Sequence, residues 1–240
     1  MSKNFRIFLG FTYLLILVVF LYFIFSKIQI NRLSDFSYYK ELQLNLDTLI
    51  SSNLIINAIY FFTFSVIWVA LMGFGSPILI ISGILFGKWI GTIISIFSLT
   101  IGAIILYSIA NFFFKDFVKK ILERKFKKYI QLFKKNEFYY FFIYRFVGGL
   151  GVPFFLQNML PVLFNMKKTN YFFSSFLGFF PSVFIFNTIG AGLNVYIQQS
   201  NTFSFLELVL SAEIYLPIIM FIFLIIISLL VKKKFFKNVN

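Results

Sequence analysis

Residues 7–25, 91–113, 171–193 and 215–231 form apolar runs near the length that spans a bilayer, with lysines clustered at their edges. A crossing helix needs about 20 such residues. That pattern fixes a polytopic membrane protein. Composition agrees: 60% of the 240 residues are hydrophobic and 12% charged, with a mean hydropathy of +0.90. Too little polar surface remains to cover a soluble core. A soluble enzyme, a secreted disulfide domain and a disordered tail are all excluded. Cysteine and histidine are absent, so there is no disulfide or thiolate chemistry, and the commonest metal ligand and general base are missing. No metal and no cofactor is expected. The net charge of +14 sits in clusters beside apolar runs. Membrane proteins mark cytoplasmic loops this way, so the charge reads as topology and anionic-lipid contact rather than nucleic-acid binding.

Lys3 and Arg6 precede the first run, which reads as a signal anchor with its N-terminus in the cytoplasm. In residues 27–53 the charges cancel, as in an external loop. Residues 115–135 carry nine basic residues against Asp116 and Glu123, with apolar residues at roughly helical spacing. This predicts an amphipathic helix on the cytoplasmic surface, held by anionic lipid; a solvated loop that only sets topology is the plainer alternative. Lys167 and Lys168 follow the next apolar block, residues 138–164. The chain divides into an anchor and external loop (1–53), a membrane domain (54–193), and an external loop, last span and basic cytoplasmic tail (194–240). The membrane domain has halves of about 54–114 and 138–193, joined by the basic segment 115–137.

Parity supplies the architecture. The two lysine-rich segments are both inside, so residues 138–165 must cross an even number of times. They are too short for two spans, which need about 40 residues, and glycines and Pro153 break their middle. A re-entrant hairpin fits, and residues 54–88 read likewise. The halves align at an offset of 76: Gly75 with Gly151, Pro77 with Pro153, Gly102 with Gly178, Asn111 with Asn187. The expected fold is all-α: an inverted repeat of a re-entrant hairpin plus a transmembrane helix, flanked by terminal spans, as in many transporters. Gly75, Pro77, Gly151 and Pro153 form the hairpin turns, and Gly102 and Gly178 are close-packing positions.

Gly75, Pro77, Leu85, Phe86, Gly87, Gly91, Gly102 and Ala103, then Arg145, Pro153, Phe154, Asn158, Pro161, Phe176, Gly178, Pro181, Gly190 and Gly192 carry a resemblance. Over about residues 65–195 the chain resembles the VTT-domain family, also called SNARE-associated Golgi proteins and related to the DedA proteins. It looks like the bacterial branch akin to the yeast Golgi vacuolar-transport protein. Gly148 replaces a proline usual in the family, Asn111 stands where an arginine often does, and no acid lies between Asp47 and Asp116. The resemblance implies two facing re-entrant helices and lipid transport or scrambling in the cytoplasmic membrane.

Pro77 and Pro153 suit the first turn of a returning limb, which would bring two positively polarised helix ends together near the midplane. Arg145 lies within an apolar block. An intramembrane arginine is a functional candidate because burying it costs about 2.5–3.5 kcal/mol even on the lenient scale. It would bind the phosphate of a phospholipid or polyprenyl-phosphate headgroup, with Gln157, Asn158 and Asn187 as hydrogen-bond partners. Two plainer readings stand beside this: Arg145 snorkels to the cytoplasmic surface, and the asparagines satisfy irregular backbone. Serines without histidine and the lack of paired embedded carboxylates argue against an enzyme. The leading expectation is a passive scramblase or flippase; a small-solute or ion transporter and a non-transporting scaffold are the rivals. Lipids are the expected partners, and a homo-oligomer is left open.

Overall fold

Two helix-capping side chains set the entrance to the membrane domain. The computed structural model describes residues 3–26, 32, 35–113, 115–117, 120, 130, 131 and 133–235, and no strand occurs among them. After α1 (Lys3–Ser26), the Asp35 carboxylate accepts from the backbone N of Ser37 at 3.0 Å and starts α2 (Phe36–Ser52). Asn53 then caps α3 (Leu54–Ala70), accepting from the N–H of Ile56, and the chain turns by 113° between the two helices. Most of the expected external loop is therefore helical. Its charges are used in links along one face. Lys40 Nζ donates to the Ser200 carbonyl at 3.0 Å, and Gln198 donates to Asp47 at 3.0 Å.

The first hairpin has three legs. Trp68 Nε1 donates to the Phe74 carbonyl at 2.8 Å across the turn that ends α3. The chain returns as α4 (Gly75–Phe113), which breaks at Gly87, where φ is 71° and ψ is 179°. Ser82 Oγ donates to the Gly91 carbonyl at 3.1 Å and accepts from Ser95 Oγ at 3.0 Å. In a straight helix residues 82 and 95 would stand about 20 Å apart. The limbs 75–86 and 88–113 therefore fold back on each other. Gly102 admits α3 against this long limb: a Cβ there would sit 2.7 Å from Val69 Cβ and 2.9 Å from the Val66 carbonyl. Gly102 is thus a close-packing position.

The second hairpin is built from shorter pieces. It comprises α5 (Glu137–Phe146), a 3-10 turn (Gly148–Gly151), α6 (Phe154–Met159) and a second 3-10 turn (Leu160–Leu163). Glu137 joins its two ends, accepting from the Lys167 N–H at 3.2 Å and from Asn170 Nδ2 at 2.6 Å. The run expected as one span over 171–193 is two stepped helices, α7 (Lys168–Gly178) and α8 (Phe180–Gln199), divided at Phe179 with Pro181 in the first turn of α8. Two helices follow, the short α9 (Phe205–Leu210) and the 24-residue α10 (Ala212–Phe235).

The protein is an all-α membrane protein. Gly75–Phe113, Phe180–Gln199 and Ala212–Val231 are each long and apolar enough to cross a bilayer. The first holds its crossing length in the limb 88–113, roughly 39 Å at the helical rise. Its core lies where α8 crosses the limb 75–86. A Cβ at Gly83 would run into the Asn187 backbone, and one at Gly190 into the Ile80 carbonyl. Such backbone-to-backbone approach is how membrane helices gain packing energy without a hydrophobic driving force. Most of the basic segment 115–135, expected as a surface helix, lies outside the described residues. Ile130 and Phe133 at its far end are buried in the protein, with the Phe133 ring stacked on Phe164 at 4.9 Å between centroids. Those two apolar residues face the core, because the foot of the second hairpin packs against them.

Candidate functional site

A cavity of about 610 Å³ lies where the two hairpin tips meet. Gly75 and Gly151 both border it. The tips touch through the Phe154 ring, which would lie 3.3 Å from a Cβ at Gly75. The turn at the second tip runs through four consecutive positive φ values, at Gly148, Gly149, Leu150 and Gly151. Three glycines make that left-handed path accessible. At Gly149, with φ 74°, the space a side chain would need is filled by the Gln157 amide.

The glycines thus place Gln157, and Gln157 helps place Arg145. Gln157 Nε2 donates to the Val152 carbonyl at 2.6 Å, leaving Oε1 to accept from Arg145 at 3.0 Å. Arg145 comes from the last turn of α5, 1% exposed, and borders the cavity. It also donates to Asn158 Oδ1 at 2.6 Å and to the Tyr171 hydroxyl at 2.9 Å. Four rings surround its guanidinium, with Phe179 and Phe141 nearest at 4.6 and 5.0 Å and Tyr171 and Phe154 beyond. Gly178 makes room for the stem, since a Cβ there would stand 2.5 Å from Arg145 Cβ. Gly178 is therefore a close-packing position too.

Every partner of this cation is neutral. Among the described residues the only salt bridge is Arg32–Glu41, on the surface. Charge-assisted hydrogen bonds contribute about 1.5–3 kcal/mol each, and aromatic faces about 0.5–2 kcal/mol. That is comparable to the cost of an intramembrane arginine, so a neutral cage can hold the charge without cancelling it. Arg145 Nε has no hydrogen-bond partner. The site keeps an uncompensated positive charge beside open space, which suits an anion. Snorkelling to the surface is not what Arg145 does.

The expected residues divide. Arg145, Gln157 and Asn158 are brought together, but only Arg145 and Gln157 border the cavity; Asn158 is fully buried behind the guanidinium. Asn187 is elsewhere. Its Nδ2 donates to the Val183 carbonyl at 2.9 Å, and its Oδ1 faces Gly91 at the crossing of α8 and α4. It does not reach the cavity, because close packing of Gly83 and Gly91 holds it against backbone. Pro77 stands in the first turn of α4, and Pro153 caps α6. The expected pair of facing helix ends is unequal: α6 has six residues, too few for an appreciable dipole. The charge of Arg145 takes that place. Tyr171 and the rings of Phe141 and Phe179 were not legible as site residues, since nothing distinguishes them in a chain with 39 phenylalanines. Among the described residues no acidic cluster could hold a metal ion.

Residues 54–192, more than half of the chain, match the family model of the VTT domain. No solved structure matches the chain.

Proposed function

The chain belongs to the VTT domain family, and on that premise we propose that it moves phosphate-bearing lipids between the leaflets of the cytoplasmic membrane, as a passive scramblase or flippase. The two hairpins dip into the bilayer from opposite faces as an inverted repeat, and the headgroup passes through the cavity between their tips. The acyl tails stay in hydrocarbon. Arg145 serves as a transient counter-ion, its planar two-donor fork matched to phosphate oxygens. Anionic lipid holds the basic segment 115–135 at the cytoplasmic face, with both termini on that side.

One observation carries this reading: a fully buried arginine with neutral partners only, on the wall of a cavity between two chain reversals. A structural arginine in a membrane core pairs with an acid or with backbone carbonyls. This one keeps its charge for something that enters. No acidic residue occurs in 48–115 or 138–206, so a proton relay through the core has no carrier and movement is uncoupled.

The test is reconstitution into vesicles of phosphatidylcholine and phosphatidylglycerol with a headgroup-labelled phospholipid and an entrapped small dye. Inner-leaflet label reaching an external quencher while the dye is retained supports the proposal. Dye or ion leakage without lipid movement would indicate a solute transporter. Neither event would indicate a scaffold.

A further inference from the structure

The cavity is not closed by the family-matched residues alone. Phe221, Leu224, Ile225, Ser228 and Leu229 of α10 form one of its walls, and α10 lies outside residues 54–192. Their spacing of three and four residues is a single stripe on one helix face. The opposite face, with Phe223 and Ile226, is exposed, and at the edges of the stripe Ile225 and Leu229 are exposed too, while Leu224 is buried. At its other end α10 lies against α8, where a Cβ at Gly192 would stand 3.1 Å from Glu213 Cβ. The helix is therefore held by close approach near Glu213 and also lies beside the turn Gly148–Gly151 at the second tip.

Ser228 is the only polar residue in 217–231, and it falls on the cavity stripe. Its hydroxyl has no hydrogen-bond partner among the described residues. Several other helix hydroxyls here return to their own backbone, as Thr63 does to Ile59, Ser182 to Phe179 and Thr188 to Phe184, while those of Ser65, Thr100 and Ser175 are buried without a partner and away from the cavity. Return to the backbone is the usual fate of a hydroxyl in an apolar helix. Ser76, in the first turn of α4, also borders the cavity and has no such partner. Two free donors and an uncompensated guanidinium around one space match the oxygens of a phosphate group.

We infer that α10 is a wall of the transport cavity and that Ser228 is a headgroup-binding residue, donating to a phosphate oxygen of the lipid. This rests on the lipid-moving reading above, and it deepens it by adding a binding residue outside the family domain.

The natural chain has no cysteine, so Ser228→Cys and the exposed-face control Phe223→Cys can be compared directly in phosphatidylcholine vesicles. The probe is a bulky, membrane-impermeant cationic thiosulfonate. A thiol in hydrocarbon does not ionise and reacts slowly. Position 228 should react at least tenfold faster than position 223, and its modification should slow lipid movement at least tenfold. Forced modification at position 223, with a membrane-permeant reagent, should leave movement within twofold. Equal reactivity at the two positions would overturn the proposal. So would a reactive position 228 whose modification leaves movement unchanged. If the natural protein moves no lipid while Ser228→Cys still reacts quickly, the lipid-moving function fails and the wall assignment stands.

Discussion

Arg145 donates a 2.6 Å hydrogen bond to Oδ1 of Asn158, from the entering limb of the second hairpin to its returning limb. The bond holds the guanidinium without neutralising it. Asn158→Asp would put a carboxylate at that oxygen and convert the pair into a buried salt bridge. We expect the variant to fold with a melting temperature at or above that of the natural protein, and to lose lipid movement at least tenfold. Asn158→Leu, which removes an acceptor from a charged donor, should instead cost about 1.5–3 kcal/mol of stability. Thermal unfolding in detergent beside vesicle assays separates the two outcomes. A fully active Asn158→Asp would show that the free charge is not needed.

Gly149→Ala tests the tip. Its φ of 74° and the Gln157 amide lying where a Cβ would go both oppose a side chain. The expected loss is about 1–3 kcal/mol, through strain and a displaced Gln157. Gly148 has a similar φ of 75° but open space around it, so Gly148→Ala should lose less. The difference between their melting temperatures measures how far the Gln157 position depends on the turn.

Glu137 bridges the feet of the second hairpin through the Lys167 N–H and Asn170. Its carboxylate lies at the N-terminus of α7, where negative charge is favourable. Glu137→Ala should cost about 1–2 kcal/mol and speed hydrogen exchange in α5 and α7 more than in α8. Uniform acceleration would contradict a local tie.

Asp35 gives a pH dependence outside the membrane. Hydrogen bonds from the Ser37 hydroxyl and backbone N–H, aided by the Arg32 charge, hold its carboxyl below the usual value of 3.8. A depressed carboxylate contributes stability that is present above the ordinary value and lost as pH falls through the folded one. Fraying at the start of α2 should therefore begin only below about pH 3.8. Asp35→Ala should show the fraying at every pH, read by hydrogen exchange over residues 36–40.

The all-α membrane class was legible because bilayers restrict backbone so strongly. Gly75, Gly151 and Pro153 lie at the turns beside the cavity, but the reversal at Gly87 had no such proline signal. Arg145 stood out because arginine in an apolar block is costly. What stayed illegible depends on contacts between distant parts of the chain. Residues 36–52 look like a loop because their charges cancel, and only the far end of α8 shows what those charges bind. Asn187 matched Asn111 in the repeat, yet packing at Gly83 and Gly91 removes it from the cavity. The wall formed by α10 left one trace, a lone serine in an apolar run, which gains meaning only once the stripe faces a cavity.

The proposed transport depends on the unpaired charge of Arg145 carrying a lipid phosphate across. Its most direct test is the movement rate of a labelled phospholipid in vesicles holding Arg145→Leu, with unfolding checked in parallel. A folded Arg145→Leu is expected to fall to the rate of protein-free vesicles, and Arg145→Lys, which lacks the planar fork, to lose at least tenfold. A folded Arg145→Leu that moves lipid as fast as the natural protein would contradict it.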